Sequence, residues 1–181
     1  GAVNPSGKLP LSLPARLEDN PTFLNYPGDH SLLYGEDIFI GYRYYDARKI
    51  APLFPFGHGL SYTQFTYSDL ECPSSIQAEK PIEISFTIKN TGNRSGSEVA
   101  QVYIHDVQPR VQRPPRELKG FQRVFLDSGA EVHVSILLDE RAFSFYDQDL
   151  HRWVAEPGFY EIQVGSSSRD IRLTARMKLE A

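Results

Sequence analysis

Long apolar runs are missing from this chain: no stretch approaches the roughly 20 residues needed to cross a bilayer. Its first residues also lack the charged-then-apolar order of a secretion signal. No membrane partner is expected, and the chain should be soluble as it stands. A surplus of positive charge is missing too. Nineteen Lys and Arg against 23 Asp and Glu leave a net charge of −4, with the basic residues scattered among acids, so nothing recruits a phosphate backbone and no nucleic acid partner is expected. Cysteine is nearly absent. Cys72 alone cannot form an internal disulfide framework and leaves the compartment open. The five histidines, His30, His58, His105, His133 and His151, lack the close Cys or His spacing of a zinc site. Neither a metal nor a cofactor is expected.

What the chain does have is aromatic residues: 11 Phe and 10 Tyr, though one Trp. From about residue 61 they join β-branched residues in short alternating runs divided by turn signals. Strands are expected at Tyr62–Leu70, Ile82–Lys89, Glu98–His105, Leu118–Leu126, Val132–Leu138, Phe143–Phe145, Phe159–Val164 and Ile171–Leu179. Ile82, Ile84, Phe86 and Ile88 share one face, as do Val132, Val134, Ile136 and Leu138, so both sets should point into a core. Trp153 is expected to help fill it. About seven strands without helical intervals make an all-β, immunoglobulin-like sandwich of two sheets.

Residues 1–60 differ. They are rich in Pro, Gly and aromatics, show no sustained period, and read as irregular extended chain, poorly packed alone and cut from something larger. Three stretches carry a recognisable pattern: Asn4-Pro5-Ser6-Gly7-Lys8-Leu9-Pro10, Tyr34-Gly35-Glu36-Asp37-Ile38-Phe39-Ile40-Gly41-Tyr42-Arg43-Tyr44-Tyr45-Asp46, and Pro52-Leu53-Phe54-Pro55-Phe56-Gly57-His58-Gly59-Leu60-Ser61-Tyr62. With Glu117-Leu118-Lys119-Gly120-Phe121 and Val164-Gly165-Ser166-Ser167-Ser168-Arg169-Asp170-Ile171, they resemble the C-terminal part of glycoside hydrolase family 3 β-glucosidases. The resemblance implies that residues 1–60 are the tail of an α/β domain with an aromatic linker, and residues 61–181 a fibronectin type III-like domain.

The resemblance also implies a parent that removes terminal non-reducing β-D-glucosyl residues, as in cellulose degradation, with β-xylosidase as the alternative, while the Asn93-Arg94-Ser95 sequon points to secretion, with a cytoplasmic location as the alternative. Such retaining enzymes need two carboxyl groups about 5–5.5 Å apart. In the family both come from domains upstream of Gly1, so no residue here is expected to be catalytic. The acids within the chain read as solvated or turn-forming: Glu36-Asp37 and Asp139-Glu140 are neighbours, and Asp147 and Asp149 sit in a turn signal. Tyr42, Arg43, Tyr44 and Tyr45 are the candidate contact residues. They read as an alternating strand that cements a domain interface or, alternatively, stacks against a sugar, with Arg43 and Asp46 forming a local ion pair. His58 between two glycines reads as structural. The loop from Asp106 to Arg116 carries three arginines that either contact the parent's other domains or stay solvated. Asn93-Arg94-Ser95 is a possible N-glycosylation site. The expected partners are the upstream catalytic domains and possibly an oligo- or polysaccharide, and the expected role is an accessory module. A free-standing carbohydrate-binding module, or an adhesion domain of the same fold, is the alternative.

Overall fold

The computed structural model describes residues 1–26, 30–77 and 80–180. Ten strands follow one another: β1 (Phe65–Glu71), β2 (Ser75–Gln77), β3 (Ile82–Asn90), β4 (Gly96–Asp106), β5 (Glu117–Leu126), β6 (Glu131–Leu138), β7 (Ser144–Asp147), β8 (Arg152–Ala155), β9 (Gly158–Ser167) and β10 (Asp170–Glu180). One sheet has the order β1-β3-β6 and the other β2-β10-β9-β4-β5, while β7 and β8 pair as a separate hairpin. All pairings are antiparallel except the short parallel one between β2 and β10. The two-sheet sandwich is thus present, with two more short strands than the alternation indicated. The three residues of β2 and four of β8 offer too few positions for a period of two to register.

The core lies between the sheets. Ile82, Ile84, Phe86 and Ile88 of β3 face it and are at most 2% exposed. On the same sheet, Phe86 opposes Val134 and Ile84 opposes Ile136 in exact register. Ala100, Val102 and Ile104 of β4, Tyr160, Ile162 and Val164 of β9, and Met177 and Leu179 of β10 close the core from the other side. Burial of such side chains contributes on the order of 1.5–3 kcal/mol each, enough to hold a sandwich with no disulfide. Trp153 does not join this core. It lies on the peripheral hairpin, half exposed, with the Arg141 guanidinium 4.3 Å from its ring centre.

β4 is buried on both faces. Gln101 and Tyr103 point away from the sandwich core yet are 3% and 0% exposed, because parts of residues 1–60 lie over them as a third layer. Two stretches of that segment are attached. Leu9 and Leu13 exchange backbone hydrogen bonds with residues 53–58, and Ser168 N–H donates to the Phe56 carbonyl. Asn4 accepts from Tyr62 N–H and donates to the Ser95 carbonyl, and Lys8 pairs with Glu98 at 2.7 Å. Gly57 has φ +80 and approaches the Gln101 side chain so closely that a Cβ has no room.

Candidate functional site

The aromatic stretch predicted as a strand is instead a short helix, α1 (Tyr42–Ala47). Six residues are too few to hold a helix by backbone bonds alone, so its anchors are tertiary. The Tyr42 ring lies 5.0 Å from Phe56 and 5.9 Å, edge-on, from Tyr103, and its hydroxyl accepts from Leu118 N–H at 2.8 Å. Tyr45 is buried, with Tyr44 edge-on to it at 5.6 Å. Tyr42 and Tyr45 thus spend their rings on contacts within the chain, whereas Tyr44 and Arg43 are half-buried.

Arg43 and Asp46 do not pair with each other. On a helix, residues three apart are close enough to meet, but better partners come from the sandwich. Arg43 reaches Glu117 at 3.6 Å, while Asp46 meets Arg169 at 2.6 Å and faces Arg116 at 3.4 Å without an aligned hydrogen bond. Burial pushes the Asp46 carboxyl up and outweighs the two arginines that pull it down. Arg169 also donates to the Ile50 carbonyl and Arg116 to that of Ser168, so these two side chains bolt the helix to the sandwich.

Between the loop after β4 and the β7–β8 hairpin runs a groove of about 610 Å³. The loop arginines frame it in different ways. The Arg113 side chain is 4% exposed and is held by Asp106, Glu117 and the Phe143 carbonyl. Arg110 is more exposed and clamps both ends of the hairpin, donating to Asp147 at 2.7 Å and to Glu156 at 2.6 Å. The loop is therefore solvent-exposed at residues 108–110 and at Gln112, but its arginines tie it to the hairpin and to β5. Asp147 is a turn former as expected, accepting from the backbone N–H groups of Leu150 and Asp149. Hydrogen bonds from Leu150 N–H and then from Arg110 hold its carboxyl below the usual aspartate range. A lowered carboxyl stabilises above its unfolded pKa of about 3.9. That contribution is lost as pH falls through the lower folded-state value. The hairpin should loosen there before the sandwich does, seen as a shift in Trp153 emission at a pH where far-ultraviolet circular dichroism is unchanged.

The remaining candidates are dispersed. The His58 ring lies 5.3 Å from that of Phe54 at a tilt of 34°, and its backbone carbonyl accepts from Leu9 N–H. Asn93 is exposed in the β3–β4 turn. Among the described residues, no three His, Cys, Asp or Glu side chains gather as a metal cage. Sequence reasoning missed the groove altogether. Trp153, Arg43 and Gln112 lie in unrelated stretches, and only the fold of the hairpin brings Trp153 to the loop.

Residues 98–168 match the family model for the fibronectin type III-like domain. The thermostable β-glucosidase B of Acetivibrio thermocellus is 46% identical, over 100% of this chain and 24% of its own length. This chain therefore matches the C-terminal part of such β-glucosidases, with the fibronectin type III-like match confined to residues 98–168. The crystal structure of the Bifidobacterium adolescentis enzyme superposes on this module with a TM-score of 0.94 at 39% identity, covering 99% of this chain and 26% of that one. The Kluyveromyces marxianus β-glucosidase in complex with glucose gives 0.93 at 44%, covering 100% and 22%. The module thus spans about a quarter of the length of these relatives. The likeness includes residues 1–60, so the third layer over β4 belongs to the matched region.

Proposed function

We propose that this chain is the C-terminal accessory module of a β-glucosidase that removes terminal non-reducing β-D-glucosyl residues by a retaining mechanism. The module buttresses upstream domains that supply the catalytic carboxylates. The observation that carries this reading is a set of exposed apolar side chains among the described residues of 17–26 and 30–40. Leu24 is 91% exposed and Tyr34 82%, with Leu17, Leu33 and Tyr26 near 70%. Scattered exposed apolar residues are ordinary, but a run of them on one segment marks a contact surface. The occupant is the remaining three-quarters of a chain such as the relatives possess. The similar proteins are β-glucosidases, which favours a glucosidase parent over a xylosidase. Secretion belongs to the same proposal, supported by the exposed Asn93 sequon, and a role in cellulose breakdown follows if the parent meets cellobiose.

The test is a chimera of the Acetivibrio thermocellus enzyme in which this chain replaces the matching C-terminal quarter. It should hydrolyse p-nitrophenyl β-glucoside, and Leu24→Asp with Tyr34→Asp should lower its melting temperature by several degrees, since each buried side chain contributes about 1.5–3 kcal/mol. The free chain should show no turnover. A chimera indifferent to both substitutions, or turnover by the free chain, would overturn the reading.

A further inference from the structure

The groove between the loop after β4 and the β7–β8 hairpin meets the docking surface just described only at Asp37 and Ile38, and its other lining residues lie outside that surface. Its volume of about 610 Å³ lies within the roughly 300–1,000 Å³ of small-molecule sites. Its charges cancel. Arg43, Arg110, Arg113 and Lys119 line it, and so do Asp37, Glu117, Asp147 and Asp149, four cations against four carboxylates. Several of these are paired with one another: Glu117 with Arg113 and Lys119, Asp147 with Arg110. An ionic ligand therefore gains little there, because binding it would break pairs that already exist. What the groove offers is a dense set of fixed polar atoms, to which the exposed Gln112 and Gln148 add amide donors and acceptors.

It also offers aromatic surface. Tyr146 and Trp153 lie edge to face at 5.8 Å and are 48% and 50% exposed. Arg141, which stacks on Trp153, does not line the groove although Trp153 does, so the indole is held from outside. Phe145 is held from within the groove, by the Arg110 and Arg113 guanidinium groups over its ring. Rings and polar groups held in advance lose little freedom when a ligand binds. Aromatic faces beside hydrogen-bonding groups without net charge suit one ligand class, a neutral polyhydroxylated molecule with apolar C–H faces. We propose that this groove is a binding site for a neutral oligosaccharide, with Trp153 and Tyr146 as the stacking surface and Gln112 and Gln148 among its hydrogen-bonding groups.

The chain supplies its own reporter, because Trp153 is the sole tryptophan. Titration of the 181-residue chain with cellopentaose and laminaripentaose should change its emission saturably, with half-saturation at about 1 mM or below. By calorimetry, Trp153→Ala and Tyr146→Ala should each weaken binding at least tenfold. Gln112→Ala, on an exposed loop position, should weaken it severalfold with an unchanged melting temperature, so the proposal does not hang on the hairpin surviving loss of its indole. A charged probe of similar size, trigalacturonate, should bind more weakly. No saturable response up to about 20 mM, binding unaffected by all three substitutions, or preference for trigalacturonate would each overturn the proposal. The docking reading stands or falls separately, since its chimera reports stability and turnover rather than sugar binding.

Discussion

Replacing Arg113 with alanine should lower the stability of the module by about 3 kcal/mol in urea denaturation. Its guanidinium is 4% exposed and lies 2.8 Å from Glu117 and 3.3 Å from Asp106, with a further bond to the Phe143 carbonyl. Removing one partner of a buried ion pair leaves an uncompensated charge, at a cost of about 3–5 kcal/mol. The lower end applies because Lys119 at 3.2 Å and Arg43 at 3.6 Å still face Glu117. Arg113→Met, which restores much of the apolar stem, should recover little, since the charge and the three acceptors are what it loses. Arg110→Ala should cost far less than Arg113→Ala, because that side chain is 57% exposed and solvent screens its ion pairs. The pH dependence follows. Burial pushes the Glu117 carboxyl up, but Lys119 and Arg113 outweigh it and hold it below the usual range. A lowered glutamate stabilises above its unfolded pKa of about 4.3 and stops doing so as pH falls through the folded value. The gap between Arg113→Ala and the parent chain should therefore narrow below that range.

What could be read in the sequence was whatever repeats every second residue. The core face of β3 and β6 is written in Ile and Val at alternate positions, and the five motifs that resemble family 3 enzymes are local strings. The helix at Tyr42–Ala47 was not legible, because its aromatics favour strands by propensity and only contacts with Phe56, Tyr103 and Leu118 override that preference. The expected Arg43–Asp46 pair failed for a related reason. A sequence displays neighbours, whereas Asp46 found Arg169 and Arg43 found Glu117, more than seventy positions away. Alternation along Glu98–His105 puts Gln101 and Tyr103 on the opposite face from Ala100, Val102 and Ile104, but nothing local shows that residues 41–60 lie across them and bury them. Trp153 misled by its size, because a large aromatic on a four-residue strand has no period to place it.

Burial, rather than residue type, should decide the second large effect. Phe86→Ala is expected to cost about 3–5 kcal/mol, whereas Phe121→Ala should stay within about 0.5 kcal/mol of the parent chain. Both are phenylalanines on strands, at 0% and 68% exposure. Phe86 opposes Val134 across β3 and β6, stacks with Tyr67 at 6.1 Å and lies in the central cluster between the sheets. Its deletion leaves a cavity that Ile84, Ile88 and Val134, fixed in register on both sides, cannot fill by a small shift. Phe121 points outward from β5, a strand at the end of its sheet, and its truncation leaves water where water already was. Equal losses for the two substitutions would mean that the outer face of β5 is covered in solution. In the free chain that outcome would point to self-association through β5, and the same pair placed in the chimera would show whether the proposed upstream domains cover that face as well.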